Sequence, residues 1–320
     1  MIKKTLLFLL FLSFIFLASP ALAGPLCAAC GLEIKGSYTE ALGHAYHPEH
    51  FRCGLCGGVL GRQFFPKDGV PYHKECYLEK FAIRCSICQR PIEGKYMQDY
   101  WGDRFHPEHL NNHPFCHYCN RPITQDNSKG GFRIADGRIL CGLCAKNAVM
   151  DQKTAEKYAR EARNLLKSWG LLLPQEKIPV ILVERDRLSG SAFGAGDVLG
   201  RICNVVSGKK KSINSIFMLY GLPREAYMGA IVHELMHGWI FFNTDLRHSP
   251  PLEEGACNYL SYLYHHYRGE SAASYFEYCL EKNENSVYGE GFRRVKAIAA
   301  SQGSNAVLEL LKKNEDFPPG

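Results

Sequence analysis

The sequence predicts a multidomain chain: two small metal-held β-hairpin modules, then an α+β domain organised around a metal-binding helix. Three observations predict it. Cysteines and histidines recur in a duplicated spacing between Cys27 and Cys144. The segment His233-Glu234-Leu235-Met236-His237 sets two histidines four residues apart within a helical pattern. Strand candidates at residues 178–183 and 212–220 alternate with helical stretches that dominate from Pro223 onward.

Residues 1–23 begin with Lys3 and Lys4, continue as an apolar run and end in small residues at Ala21 and Ala23. That is the pattern of a secretory signal peptide cut before Gly24. The apolar run is shorter than the roughly twenty residues a membrane span needs, and no later stretch is longer. The expectation is an exported protein, periplasmic or secreted, without stable membrane insertion.

Fourteen cysteines in an exported chain would ordinarily suggest disulfides. Their spacing argues for metal instead. Cys27 and Cys30, Cys53 and Cys56, Cys85 and Cys88, Cys116 and Cys119, and Cys141 and Cys144 are all pairs with two residues between, as tetrahedral zinc prefers. His47-Pro48-Glu49-His50 recurs as His106-Pro107-Glu108-His109, which marks an internal duplication. Sorted along the chain, Cys27, Cys30, His47 and His50 form one site and Cys53, Cys56, His73 and Cys76 the next. Cys85, Cys88, His106 and His109 form a third, and Cys116, Cys119, Cys141 and Cys144 a fourth.

A second site opening just after the first closes is the LIM-type pattern. The modules span residues 25–81 and 82–148. The second departs from the pattern, because residues 110–115 are inserted between its sites; His113 competes as a ligand, but choosing it strands His106 and His109. Structural zinc would supply folding energy to segments poor in apolar runs. The closed ligand sets leave no position for chemistry, so these modules are expected to dock protein partners or substrates.

Charge adds little. The formal net charge is +6, and about +4 without Lys3 and Lys4; eleven thiolates outweigh four divalent ions by three charges, leaving about +1. Lys209-Lys210-Lys211 beside Gly208 reads as a solvated turn, and no nucleic-acid partner is expected.

Two histidines at i and i+4 on a helix share a face and can hold one ion, with Glu234 beside them to take a proton from water on the metal. Gly221-Leu222-Pro223 supplies a turn and a helix-starting proline, and Ile231, Leu235, Trp239 and Phe242 make an apolar stripe. A catalytic ion needs a third protein ligand and an open fourth position. Pro250-Pro251-Leu252-Glu253-Glu254-Gly255 offers two carboxylates at the start of a second helix, where they would also complement the helix dipole. In the glutamate-type zincins the third ligand opens such a helix. The glutamate before Gly255 resembles the ligand position of aminopeptidase-like sites, which points to Glu254 over Glu253. The metzincin pattern is absent, since Ile240 and Asn243 stand where it wants glycine and histidine.

Residues 151–169 read as an amphipathic linker helix, with Ala155, Tyr158, Ala162, Leu165 and Leu166 on one side, open to packing on the domain it leads into over residues 170–320. The strand at 212–220, directly before the metal helix, is expected to be the edge on which substrate adds as a strand. Cys203, Cys257 and Cys279 read as buried thiols or one disulfide.

Four segments carry a resemblance to a known family: Tyr220-Gly221-Leu222-Pro223-Arg224, His233 to His237 with Trp239 behind it, Glu253-Glu254-Gly255, and Tyr288-Gly289-Glu290-Gly291-Phe292-Arg293. With the LIM-type modules before them, they make the chain similar to the plant LIM peptidases that limit organ size, as a bacterial exported relative without their ubiquitin-interacting segment. The resemblance implies a zincin-like (gluzincin) fold and a zinc endopeptidase acting on protein or peptide substrates. It implies one catalytic zinc on His233, His237 and Glu254, with Glu234 as base, beside four structural ions. The transition state needs a further donor, for which Tyr259, Tyr262, Tyr288 and Arg293 are candidates. The alternative is a non-catalytic zinc-binding adaptor, against which Glu234 argues, because a structural site needs no base.

Overall fold

The computed structural model describes residues 24–188 and 198–318, so the signal-peptide reading of residues 1–23 lies outside the described residues. The chain divides into two compact units between Ile83 and Arg84.

In the first unit β1 (Thr39–Ala41) pairs antiparallel with β2 (His44–Tyr46), β3 (Phe65–Lys67) with β4 (Val70–Tyr72), and α1 (Lys74–Phe81) closes the module. The β3–β4 turn is Asp68-Gly69, both at positive φ, as a tight hairpin following the strand twist requires. The buried apolar core amounts to Ala41, Phe51, Cys53, Leu60 and Tyr72. So little apolar burial does not hold a domain by itself, and the Cys and His clusters must carry the rest.

The second unit opens with a hairpin of β5 (Met97–Gln98) and β6 (Arg104–Phe105) and two short helices, α2 (His109–Asn112) and α3 (Gln125–Ser128). A hairpin of β7 (Gly131–Arg133) and β8 (Ile139–Cys141) follows, and α4 (Gly142–Ala145). Then come α5 (Gln152–Ser168), β9 (Val180–Val183), α6 (Arg185–Leu188), β10 (Gly200–Ser207) and β11 (Lys210–Leu219). The chain finishes with α7 (Arg224–Asn243), α8 (Pro250–Arg268), α9 (Ser271–Glu281), α10 (Gly291–Gln302) and α11 (Ser304–Lys313).

The three-stranded sheet has the order β10-β11-β9, with β11 antiparallel to β10 and parallel to β9. This corrects the strand expectation. Residues 212–220 lie mostly in the central strand, and the edge strand is β10, which has no strong period-2 pattern to announce it. Gly208, at φ 58, turns β10 into β11, so Lys209 lies in the turn and Lys210 and Lys211 in the strand. Lys211 pairs there with Asp245 at 2.6 Å.

Helix α7 is central. The expected stripe of Ile231, Leu235 and Trp239 is buried, but so are Tyr227, Met228, Val232, Met236 and Ile240 around the other faces, while Phe242 is only half-buried. A helix apolar all round belongs inside a core, not on its surface. Helix α5, capped by Asp151 accepting from Thr154 N at 2.9 Å, packs on it, and Tyr227 Oη donates to Ala155 O at 2.9 Å.

The helix expected over residues 151–169 packs on the domain that follows it, as its amphipathic pattern allows. Ala155, Ala159, Ala162 and Leu166 of α5 share one core with Tyr118, Ile134 and Leu140 of the second module and with Ile231 and Leu235 of α7. Val149 N donates to Leu222 O at 2.8 Å, Gly221 N to Val149 O at 2.9 Å and Arg224 N to Asn147 O at 3.0 Å. Residues 84–320 therefore fold as one unit, because the segment that joins the halves is hydrogen-bonded to the turn before α7.

Two glycines let the start of α10 lie directly on the first turn of α8. A Cβ at Gly255 would come within 2.4 Å of the Gly291 carbonyl carbon, and one at Gly291 within 2.1 Å of Pro251 O. Both neighbours are backbone and cannot rotate away. Gly255→Ala is expected to lower unfolding free energy by about 1–3 kcal/mol, as overpacking does. Denaturant unfolding of the full chain measures this, and an unchanged midpoint would contradict the close approach.

Candidate metal centre

The four Cys and His groups of the modules come together as the spacing orders them. Cys27, Cys30, His47 and His50; Cys53, Cys56, His73 and Cys76; Cys85, Cys88, His106 and His109; and Cys116, Cys119, Cys141 and Cys144 each bring four ligand atoms within 4.8 Å of one another. Sulfur-to-nitrogen distances are 3.5 Å for Cys30–His47, 3.6 Å for Cys27–His50, 3.3 Å for Cys56–His73 and 3.5 Å for Cys88–His106. The corresponding edge of a tetrahedral zinc site, built from its usual bond lengths, is ~3.6 Å.

His73 and His106 face cysteine sulfur through Nδ1 and set Nε2 against the carbonyls of Val59 and Pro91, which fixes the ring as a ligand's partner does. His113 stands outside, with Nε2 at 2.8 Å from Ile123 O. In the fourth group the neighbouring thiols lower Cys116 and raise Cys119 and Cys144, so the sulfurs cannot all ionise unless a cation joins them. These clusters suit zinc.

The second kind of site lies where α7 crosses α8. His233, Glu234 and His237 project from α7 into a cleft of about 810 Å³, and Glu253, Glu254 and Asn258 face them from α8. His233 Nε2 and His237 Nε2 are 3.2 Å apart, and Glu254 Oε2 is 3.1 Å from the first and 3.6 Å from the second. Bonds of about 2.1 Å to one tetrahedral ion would space three such atoms ~3.4 Å apart.

The far sides of both rings are spoken for. His233 Nδ1 lies 3.0 Å from Asn258 Oδ1, and Asn258 is oriented in turn by donating from Nδ2 to Tyr288 O at 3.0 Å. His237 Nδ1 lies 2.9 Å from Glu253 Oε1. Since both Nδ1 atoms face acceptors, each neutral ring carries its proton there and turns an Nε2 lone pair toward Glu254. Three lone-pair atoms facing one point require a proton or a cation between them.

The electrostatics follow. Burial opposes ionisation of Glu254, yet hydrogen bonds to His233 and His237 hold it well below the usual carboxylate range. Burial likewise disfavours charge on His237, but Cys257, Glu253 and Glu254 raise it well above the ordinary histidine range. Cys257 Sγ also lies within 4.8 Å of both histidines. Burial pushes that thiol up to about 12, so it stays protonated, and ionised Glu254 is the better donor.

Glu234 does not join the three. It is buried, and its Oε2 accepts from Ile202 N on the edge strand at 2.8 Å. Gly200 makes room for this, since a Cβ there would sit 2.9 Å from both Glu234 Cγ and Met218 Sδ.

Of the four candidate donors, the structure brings only Tyr288 into the cleft. Burial first, then the charge of Glu254, raises its hydroxyl, which remains protonated and able to donate. The other three are corrected. Tyr259 Oη pairs with Ser304 Oγ, Tyr262 stacks on His266, and Arg293 holds Asn283 O at 2.6 Å. Tyr259 and Tyr262, three residues apart, share one helix face, and their spacing does not say whether that face meets the cleft.

All fourteen cysteines are free thiols. Cys257 is buried as expected, but Cys203 is half-buried and Cys279 exposed. Asn258, Ile202 and Gly200 escaped the sequence reading. Asn258 had a signal, lying four residues after Glu254 on the same helical face; the other two had none. His265 also lines the cleft, and burial alone lowers it to about 3, leaving it neutral.

Comparison with known proteins agrees with this arrangement. A LIM domain model matches residues 27–81, and a model described as Protein DA1 matches residues 138–273. The chain carries a LIM domain followed by a DA1-like segment. Protein DA1-related 1 of Arabidopsis thaliana is 25% identical over 370 residues, covering 92% of this chain and 66% of its own length. Protein DA1 of the same plant is 25% identical over 364 residues, covering 92% of this chain and 68% of its own. LIM domain-containing protein B of Dictyostelium discoideum is 37% identical over 122 residues, 38% of this chain. The chain thus spans about two-thirds of the length of the DA1 relatives. The DA1-like segment contains His233, Glu234, His237, Glu253 and Glu254.

Glu253 and Glu254 separate experimentally. Glu253→Ala is expected to weaken metal at the cleft by about 10–100-fold, as loss of a ligand's hydrogen-bond partner does. Glu254→Ala is expected to weaken it further than that. Chelator competition on the two variants measures the order, and the reverse order would assign the oxygens wrongly.

Proposed function

We propose that the chain is a zinc-dependent endopeptidase of protein substrates, with one catalytic ion on His233, His237 and Glu254 and four structural ions in the modules. The observation that carries this reading is the convergence of two imidazole Nε2 atoms and one buried carboxylate oxygen beside a second, unligated carboxylate, Glu234. When bound there, zinc supplies a Lewis acid that polarises a carbonyl and brings the pKa of water toward neutrality.

The chain's own residues supply the rest. Glu234, on the cleft side of α7, takes a proton from the attacking water and returns it to the leaving amine. Tyr288 offers a hydroxyl to the oxygen on which negative charge develops. Glu253 and Asn258 keep both Nε2 lone pairs turned inward. Gly200, Arg201, Ile202 and Asn204 of β10 line the cleft, and among the described residues β10 is paired on one side only, so an extended peptide can add along its other edge.

The LIM domain at residues 27–81, with its own core and no open metal position, serves to dock the protein that is cut. The setting consistent with residues 1–23 is outside the cytoplasm, periplasmic or secreted.

Glu234→Gln tests the chemistry apart from the metal. It is expected to retain the cleft zinc while peptide cleavage falls by at least about 10²–10⁴-fold, the contribution of a positioned base. His233→Ala and His237→Ala are expected to lose both the ion and the activity. Metal content by mass spectrometry and cleavage of an unstructured peptide mixture read these outcomes. A wild-type chain that holds the cleft ion and cuts nothing would make it an adaptor instead.

A further inference from the structure

We propose that the second zinc module, residues 84–148, positions the cleft by clamping the elements on either side of it through Arg138 and Trp101, and is not a separable docking arm. The proposal relies on the peptidase reading only for its activity readout.

The first clamp acts on α7. Arg138 lies in the hairpin that delivers Cys141 to the fourth cluster, and it is 2% exposed. Its guanidinium is held by Asp136, with Nη2 at 2.6 Å from Oδ2, and by the Tyr118 hydroxyl between Cys116 and Cys119. The same Nη2 donates to Tyr220 O at 2.7 Å. Tyr220 begins the turn that starts α7, and a Cβ at the next residue, Gly221, would strike Ile134 Cδ1 at 2.5 Å. The turn is thus hydrogen-bonded and packed by the module, and α7 starts just after it at Arg224, nine residues before His233. A planar fork that serves a carboxylate and a carbonyl at once is a role for arginine that lysine cannot fully copy.

The second clamp acts on α9. Trp101, at the tip of the β5–β6 hairpin, donates from Nε1 to Cys119 O at 2.8 Å, so the fourth cluster holds it too. Its ring lies on Tyr275 at 5.2 Å between centroids, and Tyr100 beside it meets Tyr275 and Tyr278 at 5.2 Å and 4.9 Å. Arg121 stacks on the other face of Trp101 at 3.5 Å. From α9, Phe276, Cys279 and Leu280 form a wall of the cleft. Both clamps therefore originate in the fourth cluster, and the two elements they hold are the metal helix and the wall facing it.

The test uses the full chain with Trp101→Leu, Arg138→Met and Arg138→Lys, and Lys95→Ala on the exposed surface of the same module as comparison. Amide exchange at residues 224–232 and 271–281 is read together with chelator competition for the cleft ion and with kcat and KM on a short unstructured peptide.

Trp101→Leu is expected to speed exchange in 271–281 about tenfold, the mark of a local opening, and to raise KM more than it lowers kcat. Arg138→Met is expected to speed exchange in 224–232 and to release the cleft ion to chelator about tenfold more readily, with Arg138→Lys recovering part of both. Lys95→Ala is expected to change none of these. Exchange confined to residues 84–148 with the cleft ion held as in the wild type would overturn the proposal, and so would an equal effect from Lys95→Ala. If the wild type cuts no peptide, the peptidase reading fails while exchange and metal retention still decide the clamps.

Discussion

His233 Nε2, His237 Nε2 and Glu254 Oε2 meet inside a buried helix crossing with every alternative use of their lone pairs removed. A buried carboxylate facing two imidazole lone pairs is unstable unless something positive lies between them. Protons answer this partly, by raising His237 and lowering Glu254 together. One divalent cation answers it for all three atoms at once. Much of the second unit can be understood as what is needed to bring α7 and α8 to that crossing and keep them there.

Helix α7 is held by its buried apolar residues, which pack on α5, the sheet and α8 around the polar face that carries His233, Glu234 and His237. Helix α8 is held at its first turn, where Gly255 and Gly291 let backbone lie on backbone and so fix the height of Glu253 and Glu254 against the histidines. The edge strand is drawn in by Gly200 until Ile202 N–H reaches Glu234. The glycines of this site are absences of side chain that set distances between elements. Each costs conformational entropy on folding, a cost offset by the contacts that the close approach allows.

The parts legible in the sequence were those governed by local periodicity. An i, i+4 pair of histidines shares a helix face whatever else the fold does, and a Cys-x-x-Cys pair closes round one ion in nearly any context. Prolines at the starts of α7 and α8 announced both helices. What stayed hidden depended on contacts between distant residues. Residues 200–207 form the edge strand only because they pair with residues 210–218, and their own pattern, with Gly200, Arg201, Cys203 and Asn204, is not a clean alternation. Nor could spacing distinguish a helix that links two bodies from one buried between them. The amphipathic face of α5 has the same sequence signature in both cases, and only its partners, Tyr227 and the segment at Val149, decide.

The two modules match in their first ligand sets, while His73 of the first stands where the second has Cys141, and their surroundings differ. In the first, the two clusters are the framework of a unit whose apolar core is very small, and its exposed Leu26, Leu32 and Val59 remain free of that core. In the second, the fourth cluster is buried and its sulfurs belong to the same core as the metal helix. A copy committed in this way gives up exposed surface for contact with the cleft. The proposed docking of other proteins belongs to the first module, and the proposed clamping of the cleft to the second.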